Sequence, residues 1–95
     1  MYQLSYLNGA LKDLKRIDKA HQKFLNDNIK EFVKNFSWAY EQELLKIGRI
    51  KKLQGLEDEL YRLKLRTYRV IYKKEDDKLI ILVVSVKSRE NSYKK

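Results

Sequence analysis

The stretch from residue 60 to residue 72 reads LYRLKLRTYRVIY, and its apolar residues recur at every second position. Successive side chains of a β-strand point to opposite faces, so this period predicts strands with one buried face. One face of the first strand carries Tyr61, Leu63 and Leu65. The other face carries Arg62, Lys64 and Arg66. Residues 68–72 form the next strand, and the apolar run 79–86, which follows a polar turn, forms a third. Short connections between the three strands predict an antiparallel meander.

Upstream of these strands, the apolar residues recur with a period of about 3.6, which is typical of amphipathic helices. Residues 2–6 alternate instead and predict a short N-terminal strand. Asn8 and Asp18 are each expected to cap a helix, and the tight joint between these two helices predicts a helical hairpin. Ser37 is expected to cap a third, shorter helix that ends at Gly48.

Helices followed by a sheet are typical of an α+β fold. We expect an N-terminal strand, an α-helical hairpin and a short third helix, packed on an antiparallel β-sheet of three to four strands. Ninety-five residues suffice for one modest core, so residues 1–95 are expected to form a single domain. Trp38 and Tyr40 are expected to pack the third helix on the body, and His21 to lie on the surface.

The composition excludes several kinds of site. The chain has no cysteine and a single histidine, so disulfides, thiolate sites and multi-histidine metal sites are excluded, and no cofactor is expected. No apolar run is long enough to span a bilayer, and the N-terminus lacks a basic signal region, so we expect a cytoplasmic protein with no membrane partner. The net charge is +9, of which residues 60–95 hold +7. A polyanion is therefore the first partner to consider.

The three cations on one face of the first strand have two interpretations. The face is either the ordinary solvent side of a half-buried sheet or a basic surface for a phosphodiester backbone, to which Arg69 and Arg89 would contribute. Positive neighbours disfavour the charged form of a lysine, which would let Lys64 act as a general base in RNA cleavage. Tyr93 adds an aromatic face suited to base stacking. The pattern favours nucleic-acid binding more strongly than catalysis.

A set of motifs occupies residues 10–17, 52–56, 60–66, 68–72 and 82–90, with Tyr93 after the last strand. These motifs resemble the RelE toxins of bacterial toxin–antitoxin pairs. The resemblance covers nearly the whole chain, and residues 52–93 are its specific part. Since the wider RelE/ParE superfamily shares the strand pattern, the resemblance implies a RelE-like fold more strongly than it implies one target.

The resemblance implies that this protein is the toxin of a type II toxin–antitoxin system. Such a toxin is a ribosome-dependent, metal-independent endoribonuclease that cuts mRNA in the ribosomal A site and inhibits translation. Its implied partners are a cognate RelB-like antitoxin, the ribosome with its 16S rRNA, and mRNA. Operator DNA is a further candidate partner of the toxin–antitoxin complex.

The family's active site can be carried over one position at a time. Arg62 stands where a lysine is often found, which keeps the charge but removes the capacity to act as a base. Lys64 matches and is the candidate general base, and Arg69 would contact the phosphate and the transition state. Arg89 would neutralise or protonate the leaving 5′-oxygen, and Tyr93 would stack on the scissile nucleotide. Further RNA contacts are expected from Arg66, Lys73 and Lys87.

Two departures from the family pattern leave alternatives open. Residues 37–51 make a longer segment than in compact relatives, and the chain ends two residues after Tyr93. One alternative is a ParE-like inhibitor of DNA gyrase on the same fold, which needs no catalytic lysine. The other is a non-catalytic basic module that binds RNA or an acidic protein.

Overall fold

The computed structural model describes residues 1–53 and 59–88 of the chain. In this part of the chain five strands and three helices follow one another in the order β1 (Gln3–Tyr6), α1 (Asn8–Lys15), α2 (Lys19–Lys34), α3 (Trp38–Lys46), β2 (Ile50–Lys52), β3 (Leu60–Leu65), β4 (Tyr68–Glu75) and β5 (Ile80–Ser88). The α+β class, the N-terminal strand, the helical hairpin and the short third helix are therefore confirmed.

The strands form one sheet in the order β1-β5-β4-β3-β2. The predicted antiparallel meander is β3-β4-β5. The sheet has five strands where we expected three to four, because residues 50–52 add β2 antiparallel to β3. It is also not wholly antiparallel, since β1 pairs in parallel with β5, Gln3 lying opposite Ile80. A parallel partner needs a long crossover, and here nearly the whole chain separates the two strands.

One face of the sheet carries the hydrophobic core. Tyr61, Leu63 and Leu65 are buried there, as the alternation predicts. The second helix covers this face with Leu25, Ile29, Phe32 and Val33, all buried. Phe32 meets Tyr72 of β4 edge to face, with 5.4 Å between ring centroids.

The ends of the helices match the expectations in part. Ser37 caps α3, and its hydroxyl oxygen accepts a hydrogen bond from the Tyr40 N–H at 3.1 Å. Gly48 follows that helix with a φ of +84°, a conformation that favours glycine. Asn8 is the first helical residue rather than the cap, which is Leu7. Trp38 is 73% exposed, so the expected packing of this side chain on the body is wrong.

Candidate functional site

Three of the predicted cations form a row across β3, β4 and β5, close to the turn that joins β3 to β4. Lys64 of β3 lies directly opposite Arg69 of β4, which in turn lies opposite Lys87 of β5. Directly opposed residues share a face, and their Cα atoms lie about 5 Å apart, so the row spans roughly 10 Å. This face is the one turned away from the core, since the neighbours Leu63, Leu65 and Val70 are buried.

The members of the row differ in what they contact. Lys64 is exposed, and within the described residues its ammonium has no hydrogen-bond or ion-pair partner. The ammonium of Lys87 lies 3.2 Å from the carboxylate of Asp13 in α1. The same carboxylate accepts the backbone N–H of Val86 at 2.9 Å, so α1 holds the edge of β5 that β1 leaves uncovered. Of the two lysines in the row, Lys64 is therefore the one without a counter-ion among the described residues.

Arg62 lies on the same face but is held in place. Its Nη2 donates to the carbonyl oxygen of Gly48 at 3.2 Å. Its Nε is buried and has no hydrogen-bond partner within the described residues. A cavity of about 90 Å³ lies beside it, lined by Arg62, Lys64, Arg66, Thr67, Tyr68 and Arg69. This volume is well below the range of roughly 300–1,000 Å³ typical of small-molecule pockets, so the site is an open basic surface.

Arg66 does not continue the row of cations on β3. It begins the two-residue turn between β3 and β4 with a φ of +55°, which ends the strand alternation at Leu65. Its guanidinium carbon lies 3.8 Å from the centroid of the Phe24 ring, on α2. Arg66 thus lines the small cavity with Arg62 and Lys64, but as a left-handed turn residue it leaves the strand alternation, and its guanidinium packs on α2.

The remaining predicted site residues are not all within reach of the row. Lys73 lies four residues beyond Arg69 on β4, at a distance of about 13 Å along the strand. Arg89 and Tyr93 lie outside the described residues, as does the motif segment at residues 54–56. The structure thus brings Arg62, Lys64, Arg69 and Lys87 together, and the roles given to all these residues stay predictions.

A second, larger cavity adjoins the row and was not expected from the sequence. It has a volume of about 390 Å³ and is lined by Asp13, Arg16, Ile17, Asp18, Tyr68, Val86, Lys87 and Ser88. His21 is a surface residue as expected, and it contacts the Asp18 carboxylate through Nδ1 and the Tyr68 ring at 5.8 Å between centroids. No local periodicity brings these groups together, because they come from α1, α2, β4 and β5.

On the core side, the sequence also gave no sign of a buried ion pair. Glu41 of α3 is 1% exposed; its Oε1 lies 2.8 Å from the Lys74 ammonium, and its Oε2 accepts the Tyr72 hydroxyl at 2.8 Å. Burial and the charge of Glu41 raise the pKa of Tyr72. Burial alone would lower the pKa of Lys74, but its hydrogen bond to Glu41 and the attraction of that carboxylate leave it raised. The pair joins α3 to the sheet, on the opposite face from the row.

Residues 1–53 and 59–88 contain neither a candidate metal site nor a candidate membrane-spanning helix. There, no cluster of three or more histidine, aspartate or glutamate side chains is arranged to hold a metal ion. In the same ranges no helix combines the length and the apolar character needed to cross a membrane.

Comparison with known proteins places this chain and its fold among toxins of toxin–antitoxin pairs. Residues 4–93 match the family model of the ParE toxin of type II toxin–antitoxin systems. A protein of Escherichia coli, whose name describes it as a RelE-like toxin, is 33% identical over 93 residues, covering 96% of this chain and 86% of its own length.

Solved structures of toxin–antitoxin complexes also contain chains that are similar to this protein. The RelE–RelB complex of Pyrococcus horikoshii contains a chain that is 27% identical with a TM-score of 0.66, covering 93% of this chain and 94% of its own. The intact RelBE toxin–antitoxin complex of E. coli gives 26% identity and a TM-score of 0.66, covering 93% of this chain and 96% of that one.

Proposed function

The chain belongs to the RelE/ParE family of type II toxin–antitoxin toxins, and from that premise we propose that it is a ribosome-dependent mRNA endonuclease. It would cut mRNA in the ribosomal A site and so inhibit translation. The observation that carries the proposal is the exposed ammonium of Lys64, which has no partner within residues 1–53 and 59–88 and is flanked on the next strand by Arg69.

The proposed reaction needs a base, cations and no metal. Lys64, acting as the base, takes the proton of a ribose 2′-hydroxyl, and the 2′-oxygen attacks the adjacent phosphorus. The bond to the 5′-oxygen then breaks, giving a 2′,3′-cyclic phosphate, and the leaving oxygen takes a proton from Arg89 or from water to become a 5′-hydroxyl. Arg69 stabilises the charge that builds up on the phosphoryl oxygens, and Arg62 adds a fixed positive charge. Arg89 and Tyr93 keep their proposed roles at the leaving oxygen and the base.

The openness of this surface supports a need for the ribosome. A cavity of about 90 Å³ cannot enclose a nucleotide, so the protein alone does little to align the 2′-hydroxyl with the scissile bond. Orientation of reacting groups supplies much of the rate in such displacements. The ribosomal A site, with its 16S rRNA, would hold the mRNA in line, and an activity on ribosomes would be cytoplasmic.

We also propose a cognate antitoxin as the partner that keeps the surface inactive. Two of the similar structures are toxins in complex with RelB-type antitoxins. An acidic or amphipathic segment that folds on contact would cover the Lys64 row and block RNA. The resulting complex would be the form that binds operator DNA.

The test uses purified protein and 70S ribosomes that carry a defined mRNA with an empty A site. Primer extension should map a new 3′ end within the A-site codon, and naked mRNA should stay intact. Lys64→Ala should abolish the cut and still bind ribosomes, whereas Lys46→Ala, an exposed cation on α3, should cut normally. Intact message with the wild-type protein, or full activity of Lys64→Ala, would contradict the proposal.

Inhibition of DNA gyrase is the second candidate, because the matching family model is that of the ParE toxin. It predicts loss of supercoiling at stoichiometric toxin, with no dependence on Lys64 as a base. If the protein neither cuts mRNA nor inhibits gyrase but binds RNA with a steep salt dependence, it is a non-catalytic basic module.

A further inference from the structure

Among the described residues, the small cavity beside Lys64 presents hydrogen-bond donors and no carboxylate. It is lined by Arg62, Lys64, Arg66, Thr67, Tyr68 and Arg69. Its volume of about 90 Å³ has room for one phosphate group and is far below the roughly 300–1,000 Å³ of pockets that hold whole small molecules. The cavity therefore fits a single small oxyanion better than a nucleotide or a coenzyme.

Two arginines at this cavity have donors that the described part of the chain leaves unused. The buried Nε of Arg62 has no hydrogen-bond partner there, although Nη2 of the same group donates to the Gly48 carbonyl. The guanidinium of Arg66 lies over the Phe24 ring at 3.8 Å, and stacking of this kind leaves the N–H groups at its edge available. Phosphate oxygens accept hydrogen bonds from such edges, so both arginines suit a bound phosphate.

The two lysines of the row differ in whether their nitrogen is open to reaction. Lys64 is exposed, and its ammonium has no hydrogen-bond or ion-pair partner among the described residues. The ammonium of Lys87 is held 3.2 Å from the Asp13 carboxylate, and it must leave that ion pair before its nitrogen can attack another group. A lysine amine that has lost its proton is a nucleophile toward carbonyl groups. Lys64 thus combines an open amine with a neighbouring cavity for a phosphate.

We propose that Lys64 is a site of acylation by acyl phosphates, the mixed anhydrides of a carboxylic acid and phosphoric acid. The cavity binds the phosphate end of the donor through Arg62 and Arg66, and Lys64 attacks the carbonyl carbon. The bond from that carbon to the phosphate oxygen breaks, and inorganic phosphate leaves with the electron pair. The proton of the attacking nitrogen passes to the departing phosphate or to water, and an uncharged amide remains.

Acylation of Lys64 changes the chemistry of the whole basic surface. The amide carries no positive charge and cannot accept a proton, so the modified residue neither attracts a phosphodiester nor acts as a base. This deepens the proposed nuclease function and rests on it for one consequence, which is that the acylated protein does not cut mRNA. The modification itself does not depend on that function.

The first test measures the modification alone. Purified wild-type protein is incubated with acetyl phosphate, and the acetylation of each lysine is followed by peptide mass spectrometry. We expect Lys64 to react about tenfold faster than Lys46, an exposed lysine of α3, because the bound donor holds the two reacting groups together. Lys87 should react no faster than Lys46. Equal rates at Lys64 and Lys46 would overturn the modification site.

Two further measurements test the role of the cavity. Inorganic phosphate, compared with chloride at equal ionic strength, should lower the rate at Lys64 to that at Lys46 and leave Lys46 unaffected. Arg66→Gln should have the same selective effect, with circular dichroism to show that the variant is folded. Persistence of the faster reaction at Lys64 under both changes would overturn the role of the cavity.

An acyl donor without phosphate separates capture of the donor from simple reactivity. With the uncharged N-hydroxysuccinimide ester of acetic acid, Lys64 and Lys46 should react at similar rates. An equal preference for Lys64 with this ester and with acetyl phosphate would contradict the assignment of acyl phosphates as the donor class.

Programmed ribosomes test the consequence for activity. Cutting of A-site mRNA should fall in proportion to the fraction of protein that is acetylated at Lys64, and full cutting by completely modified protein would contradict the regulatory role. If the unmodified protein cuts no mRNA, the nuclease proposal fails, and the peptide maps still decide whether Lys64 is acylated. Failure of one proposal is therefore distinguishable from failure of the other.

Discussion

The buried pair between Glu41 and Lys74 gives the sharpest test of what holds α3 on the sheet. Glu41→Gln keeps the shape of the side chain and an oxygen that can accept the Tyr72 hydroxyl, but it removes the negative charge. Lys74 then has no counter-ion, with its side chain only 17% exposed. Breaking a buried ion pair from one side costs about 3–5 kcal/mol. We expect about 3 kcal/mol, because the partial exposure of Lys74 lets its ammonium shift toward water.

That loss is a large part of the stability of a chain of this length, which is roughly 5–14 kcal/mol. Urea denaturation followed by far-ultraviolet circular dichroism measures the loss, and Tm should fall by about 12–24 °C. Lys23→Gln is the matched control, since it breaks an ion pair with Asp27 of similar length whose side chains are 80% and 59% exposed. The control should cost less than about 0.5 kcal/mol.

The reasoning fails if Glu41→Gln lies within about 0.5 kcal/mol of the control. A second experiment replaces all three members of the buried network instead of one. Replacing the whole network by Glu41→Leu, Tyr72→Phe and Lys74→Met leaves no buried polar group unpaired, and this triple variant should be more stable than Glu41→Gln alone. Below its Tm, Glu41→Gln should act on ribosomes like the wild type, because the pair and Lys64 lie on opposite faces of the sheet.

Three further predictions concern stability. Asp13→Ala leaves the Val86 N–H without its acceptor and should cost about 1–3 kcal/mol in urea, and no measurable loss would show that water replaces the carboxylate. Ser37→Ala removes the cap of α3 and should cost about 1 kcal/mol, a value that Ser37→Asp should largely restore. The pKa values of Tyr72 and Lys74 are both raised, so the unfolded chain loses these protons first and stability should fall as pH rises above about 10. Each group adds up to about 1.4 kcal/mol per pH unit to that slope, and Tyr72→Phe should make it shallower.

The parts of the fold that could be predicted are those set by local periodicity. Alternation along residues 60–72 was enough to place β3 and β4 and to separate their buried and basic faces. The pairing of β1 with β5 was missed, because a strand's own pattern does not say whether a distant partner runs parallel. The packing of Arg66 on Phe24 was missed, because the alternation was extended by one residue into a turn.

In the candidate site, contacts between neighbouring strands could be predicted, and contacts between distant segments could not. The antiparallel hairpin puts Lys64 beside Arg69, and the sequence indicated that contact. The neutralisation of Lys87 by Asp13 joins residues 74 positions apart, and no spacing rule relates them. Glu41, which in the sequence resembles a surface residue of a short helix, is buried, and β4 supplies its carboxylate with two donors.

The contacts of Arg62 explain why an arginine at this position suits a role different from that of Lys64. Arg62 reaches the carbonyl of Gly48, which ends the loop after α3, and it presents a buried Nε that has no partner within residues 1–53 and 59–88. A guanidinium can make that contact and still offer further donors to a phosphate, whereas a lysine has a single point of charge. Arg62 is therefore suited to fix the substrate and unsuited to accept a proton. Under the proposed nuclease function, the base would then be Lys64, two residues along the same face, which is the one lysine of the row without a counter-ion among the described residues.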